Sequence, residues 1–349
     1  MNFPCLSFVA GLAALVSLAQ GQTAPQPAPA KAKTVKPSWT PPRAADGHPD
    51  LQGFWSNNTA TPLERPKALG DKATLTDEEL AAFKKKAAEL FDGKGDAAFG
   101  DNVFQAVLDN VNGAKKGFVS TDGNTGDYSS VWTVQRVWDH RTSQITDPPD
   151  GRMPAMTPEG QKRREANLAA RTGVAAGPED RSLQERCITY GSPQLTTGYQ
   201  SYYQILQTPG TVLFLTEMIH DVRLIPLSGH PHIPSTIRHW LGDSRGHWEG
   251  DTLVVDTTNY KPRSFMGVSS EQLHVTERFS RTGPETLQYE ITINDPGTWS
   301  KPWSLMVPWR RSDKPVYEYA CHEGNIGLEG ILSGARAEER AAGLASQTK

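Results

Sequence analysis

From Tyr202 onward the chain alternates apolar and polar residues with a period of two, and turn-forming pairs cut the alternation at short intervals. "YYQILQT" stops at Pro209-Gly210 and resumes as "TVLFLTEM", and "DVRLIPL" ends at Ser228-Gly229. "GHWEG", "DTLVVDTTN" and "LHVTERFSR" follow, then a break near Gly283-Pro284 and "TLQYEITIND". Pro296-Gly297 precedes "WSLMVPWR" and "VYEYACH". A period of two buries one face only in a strand, so this stretch predicts about eight strands with short joints. The expected fold class is mainly β, an antiparallel barrel (lipocalin-like) or a sandwich, preceded by N-terminal helical and irregular segments. Pro302 and Pro308 sit in or beside one of these strands. Proline belongs at an edge or a bulge, so closure there is expected to be imperfect.

The rest of the chain carries different signals. Residues 1–21 hold an apolar run from about Phe8 to Ala19 and end in Ala19-Gln20-Gly21, the pattern of a secretory signal peptide rather than a membrane span. Residues 22–44 are Pro/Ala-rich, carry Lys31, Lys33, Lys36 and Arg43 with no acid, and read as an extended linker. A helical and irregular wrap is expected over 45–200, the β domain over 201–335 and a polar tail over 336–349. Within the wrap, Thr76 and Glu79 form a capping box for a helix to Phe91, with Leu80, Phe83, Ala87 and Leu90 on one stripe. A short helix is expected around Val103–Val111, a second long one from Pro158 to Arg171 with Thr157 as N-cap, and a short one over Glu179–Arg186. The "GFW" at Gly53–Trp55 falls in an irregular stretch.

Charge and cysteine usage bound the partners and the compartment. Net charge is −3 and the linker contributes +4, so the folded body stands near −3 − 4 = −7, which argues against a nucleic-acid partner. Of the three cysteines, Cys5 would leave with the signal, so an exported chain keeps Cys187 and Cys321, for which a disulfide is the default. The expected location is secreted or periplasmic, with no membrane span in the mature chain.

Candidate chemistry follows from facing. Alternation puts Glu217 on the face of Leu213 and Leu215, and Glu277 on the face of Val275 and Phe279. A carboxylate on an apolar face is costly unless paired or protonated. The pair is read either as a proton-transfer couple or as two carboxylates held by arginines, with Arg223, Arg278 and Arg310 nearby. His220, His274 and His322 are auxiliary candidates, and Arg223 and Arg278 would orient an anionic group. Trp303, Tyr289 and Tyr319 would wall a site for a small, partly apolar organic molecule. No H-E-x-x-H, C-x-x-C, dinucleotide fingerprint or P-loop occurs, so neither metal nor cofactor is assigned, although a metal assembled from separate strands leaves no spacing signal. "GDS" at Gly242–Ser244 lies before a strand rather than between strand and helix, which speaks against a serine hydrolase.

Four stretches, "DGHPDLQGFW" (46–55), "DPPDGR" (147–152), "GDSRGHWEGDTLVVDTTNY" (242–260) and "YEYACHEGN" (317–325), resemble a group of uncharacterised secreted bacterial proteins. The resemblance implies kinship over most of 45–335 and attaches no activity or catalytic residue. The leading expectation is an exported enzyme working by acid/base chemistry in a β-barrel cavity, as a lyase, isomerase or hydrolase. A non-catalytic small-molecule binding protein and a metal-dependent hydrolase stand as alternatives. The oligomeric state is left open.

Overall fold

A ten-stranded antiparallel sheet organises the chain. A computed structural model describes residues 39–92, 98, 100–118, 135–195, 198 and 201–343. The expected signal peptide, the linker as far as Ser38, "DYSSVW" (127–132) and tail residues 344–349 lie outside the described residues. The strands are β1 (Gly53–Ser56), β2 (Ile145–Asp147), β3 (Tyr202–Thr208), β4 (Thr211–Thr216), β5 (Val222–Pro226), β6 (Asp243–Glu249), β7 (Thr252–Thr258), β8 (His274–Gly283), β9 (Thr286–Asn294) and β10 (Trp303–Ser312). Their order across the sheet is β5-β4-β3-β1-β10-β9-β8-β7-β6, with β2 added on β10.

Two of these strands come from the expected wrap. Strand β1, read as irregular from sequence, sits between β3 and β10 and joins the two halves of the sheet. At four residues it is too short to show a period, and its place is set by Trp55, which is fully buried and donates from its indole to the Leu51 carbonyl at 2.9 Å.

The sheet coils until the inner faces of its two halves meet. Phe214 on β4 packs on Phe279 of β8, ring centroids 4.7 Å apart, and Tyr203 on β3 stacks on Trp309 of β10 at 4.1 Å. The end strands β5 and β6 share no ladder, so the sheet does not close as a barrel and is better described as sandwich-like. They touch by side chains instead: a Cβ on Gly246 would fall 2.7 Å from Leu227 and 2.8 Å from Ile225, so only glycine permits this approach. Pro308 obeys the edge rule in an unexpected way. It pairs with Gln288 on β9, while on its other side it falls in the gap between β2, which meets Ser304 and Leu305, and β1, whose pairing with β10 starts at Arg310.

The helices follow their sequence signals. Helix α1 (Asp77–Leu90) starts at the Thr76–Glu79 capping box and buries Leu80, Phe83 and Ala87 against α2 (Asn102–Val111). Helix α3 (Pro158–Thr172) is capped by Thr157. The short helix expected over Glu179–Arg186 is instead a 3-10 turn at Pro178–Asp180 followed by turns. "VYEYACH" is not a strand: β10 is the last one, 313–320 is irregular, and α4 (Ile326–Ala341) begins inside the expected β domain. Cys187 and Cys321 form the disulfide, spanning 134 residues. Among the described residues no helix is long and apolar enough to cross a membrane.

Candidate functional site

The inner face of the coiled sheet carries one charged cluster. Glu277 on β8 is fully buried, as its alternation requires. Arg223 reaches it from β5 with a two-pronged contact, Nη1 to Oε1 at 3.0 Å and Nη2 to Oε2 at 2.5 Å. Nη2 also donates to Ser244 Oγ (3.1 Å) and Thr257 Oγ1 (3.3 Å), and the Tyr289 hydroxyl donates to Glu277 Oε1. Burial works to discharge Arg223, but the charge and hydrogen bonds of Glu277 outweigh it and leave the guanidinium pKa above its ordinary value. Burial, and then the Glu277 charge, push the Tyr289 phenol well above the usual range. The carboxylate is therefore an acceptor for fixed donors. The cavity beside it, walled by Tyr203, Phe214, Phe279 and Trp309, holds about 20 Å³, room for a single water and not for an organic molecule. Among the described residues Tyr203 Oη, Trp309 Nε1 and Arg223 Nε are buried and find no hydrogen-bond partner.

Glu217 is buried for another reason. Alternation alone puts it with Leu213 and Leu215, but Val212, Phe214 and Thr216 are the inward residues of β4 and Leu213 and Leu215 are partly exposed. Both parities of "TVLFLT" are apolar, so alternation could not choose between them. The strand ends at Thr216, and Glu217 turns in as the chain enters a 3-10 turn. Burial raises its carboxyl above the usual range, against the backbone amides of Tyr202 and Tyr317. Its Oε2 has no partner. No hydrogen bond or ion pair joins Glu217 to Glu277 among the described residues.

The remaining candidates scatter around this end of the sheet. His220 follows Ile219, and both have left-handed backbone (φ 54° and 58°), a costly conformation for a β-branched residue. His220 Nε2 accepts from the Tyr319 amide at 2.8 Å, so the segment before the disulfide lies across this corner. Asp221, next in sequence, anchors it: its Oδ2 accepts from Thr189 Oγ1 (2.6 Å) and the Tyr190 amide (2.9 Å). His322 is exposed in the turn before α4, so the strand geometry expected for "ACHE" does not apply. Arg278 points outward and pairs with Glu249 at 2.7 Å, not with a buried carboxylate. Trp303 is fully buried in the core against Trp299 and Phe265 and lines none of the hollows described here.

His274 belongs to a network that the sequence reading missed. On the outer face of β6–β8, its Nε2 meets Asp256 Oδ2. Asp256 Oδ1 lies 2.8 Å from His232 Nε2, His232 Nδ1 lies 2.8 Å from Asp243 Oδ2, and Arg245 holds Asp243 Oδ1 at 2.9 Å. The hydrogen bond that His274 donates to the Asp256 carboxylate raises the His274 pKa against partial burial. Asp256 is held below its usual range because the two histidine contacts outweigh burial. Cross-strand register carries part of the signal: Arg245 faces Asp256 directly. Together with Asn259, whose side-chain amide donates to the carbonyls of Ile233, Pro234 and Ile237, this network fastens the 229–242 loop. Among the described residues no group of three or more His, Cys, Asp or Glu is arranged to hold a metal.

That loop leads to a larger hollow outside the sheet. Trp240 borders a cleft of about 240 Å³ closed on its other sides by α3, by the 179–191 segment and by the 262–267 loop. Gly191, at φ 90°, forms the partition between cleft and inner cavity; a Cβ there would fall 2.8 Å from the Ser264 carbonyl oxygen. Compared with protein families, with curated proteins and with solved structures, the chain matches none.

Proposed function

We propose that this is an exported protein that binds a small organic molecule without turning it over, and that the ligand occupies the cleft beside Trp240 rather than the interior of the sheet. The carrying observation is that Glu277 is committed to Arg223 and Tyr289 beside a cavity of about 20 Å³, which removes both the free base and the room that interior chemistry needs. The cleft, at about 240 Å³, approaches the lower end of small-molecule sites. Export rests on the signal-like N-terminus and is supported by the Cys187–Cys321 disulfide; kinship with the secreted group that shares "YEYACHEGN" is part of the same proposal. The test is untargeted mass spectrometry of small molecules retained by the purified protein, or altered on incubation with it. Retention without conversion is expected. Conversion of any retained compound overturns the reading.

A second reading is favoured by Glu217 alone. A buried carboxyl with a raised pKa and an unpartnered oxygen has the properties of a proton carrier. If conversion is observed, Glu217→Gln should reduce it at least about a hundredfold. An unchanged rate rejects that role.

A further inference from the structure

The cleft beside Trp240 has a charge out of keeping with the rest of the chain. Net charge over the whole sequence is −3, yet Arg171, Arg181, Arg186 and Arg263 line this hollow against a single acid, Glu179. A positive concavity on an acidic body concentrates anions at that point.

The arginines are not spent on one another's neighbours. Arg171 and Arg186 have no side-chain hydrogen bond or ion pair among the described residues. Among the described residues the Arg263 side chain donates only to the amide oxygen of Asn167 at 2.9 Å, a neutral partner. Arg181 is the exception: it is braced by Glu185 and by the Arg171 carbonyl at 2.9 Å, and even so its Nε is buried without a partner. Guanidinium groups that outnumber the one carboxylate lining their hollow fit an oxyanion, which accepts two N–H bonds from a guanidinium fork.

The backbone around the cleft is held in unfavourable conformations. Arg263 (φ 67°) and Met266 (φ 52°) both line it with left-handed backbone, on a loop fixed by the Arg263 amide, which donates to the Ser269 carbonyl at 2.8 Å, and by the Phe265 amide, which donates to the Ser269 hydroxyl at 3.0 Å. Non-glycine residues kept in that region cluster at ligand clamps, where position matters more than local stability. The remaining wall supplies an aromatic surface: the Trp240 ring carries the Lys261 ammonium 4.8 Å from its centroid, which adds a further positive charge beside the cleft.

We infer that the ligand of this cleft is a small organic acid, an oxyanion (carboxylate or phosphate) attached to a flat apolar ring, with the anion on Arg186 and Arg263 and the ring against Trp240. The inference rests on the cleft-binding reading above and adds the ligand's charge and shape to it. Isothermal titration of the full chain with benzoate, phenyl phosphate and neutral benzyl alcohol tests it. Benzoate or phenyl phosphate should bind, the alcohol should not, and which of the two anions binds tighter identifies the oxyanion. Arg186→Gln and Arg263→Gln should each weaken the anion by about tenfold, and affinity should fall as salt rises. Unchanged circular dichroism and melting temperature show that the variants fold. Binding of benzyl alcohol as tight as the anions, or full affinity in both variants, overturns the inference and leaves the cleft as a neutral-ligand site. No binding by any of the three compounds overturns it as well. If mass spectrometry also finds no retained molecule, the cleft-binding reading itself fails.

Discussion

Strands β7 and β8 carry two charge networks on opposite faces, and the two behave differently because of which way the side chains point. Inward lie Thr257 and Glu277, with Arg223 brought from across the coil. Outward lie Asp256 and His274, with His232 brought from a loop. The inner carboxylate is fully buried, whereas the Asp256 and His274 side chains keep 35% and 40% of their exposure. Removing one partner indoors leaves an uncompensated charge in a low dielectric, and removing one outdoors leaves a group that water can solvate. One residue's step along a strand therefore separates an interaction on which the fold depends from one that trims a loop.

The largest expected effect comes from breaking the inner pair on one side only. Arg223→Met should destabilise by about 3–5 kcal/mol, because Glu277 is then buried unpaired. Adding Glu277→Leu should return most of that loss, since well-packed apolar residues often replace a buried ion pair at little cost. Chemical denaturation of both variants measures this, and a double variant no better than the single one would mean that packing, not charge, dominates. Tyr289→Phe is the intermediate case. It removes one donor to a carboxylate that keeps its guanidinium, with an expected loss of about 1.5–3 kcal/mol in the same assay.

The smallest effect belongs to the outer face and shows as a slope. A histidine whose pKa is raised in the folded state adds stability that is complete below its unfolded value of about 6.5 and is lost as pH climbs through the folded value. His274 is shifted in that direction by Asp256. Melting temperature should therefore decline from mildly acidic pH through neutrality, and Asp256→Asn should flatten that decline. Solvent screening keeps the effect under about 1 kcal/mol. A slope that survives Asp256→Asn would assign it to other groups.

Local signals in the sequence were read correctly where the physics is local. The Thr76–Glu79 capping box, the Thr157 cap and the inward facing of Glu277 each depend on residues within one turn or one strand. The identity of the arginine that meets Glu277 depends on how far the sheet coils, so sequence leaves Arg223, Arg278 and Arg310 as candidates, and the fold pairs Arg223 with Glu277 and Arg278 with Glu249. Glu217 was buried as expected but through the end of a strand rather than its parity. The cleft arginines left no trace, because they come from α3, from the turns after it and from a loop about eighty residues further on. His232 stands in "GHPH" (229–232), a loop with no spacing signal toward a carboxylate, and only the β6–β7 register brings Asp243 and Asp256 to it.

The contact between β5 and β6 has a consequence for how the molecule opens. Because those two strands meet through side chains, Ile225 and Leu227 against Gly246 and Arg223 on the Ser244 hydroxyl, and not through backbone bonds, parting them breaks no ladder. Val222 and Leu224 on β5 are already 48% and 62% exposed. Local unfolding is cheapest where few buried contacts and no backbone bonds must be given up. The coil should therefore unwind from this line like a scroll from its free margin, with amide deuterium appearing first in β5 and β6 and last in β9, which is flanked on both sides by ten-residue strands. Arg223 rides on that margin, so the unwinding that admits solvent also carries the guanidinium away from Glu277.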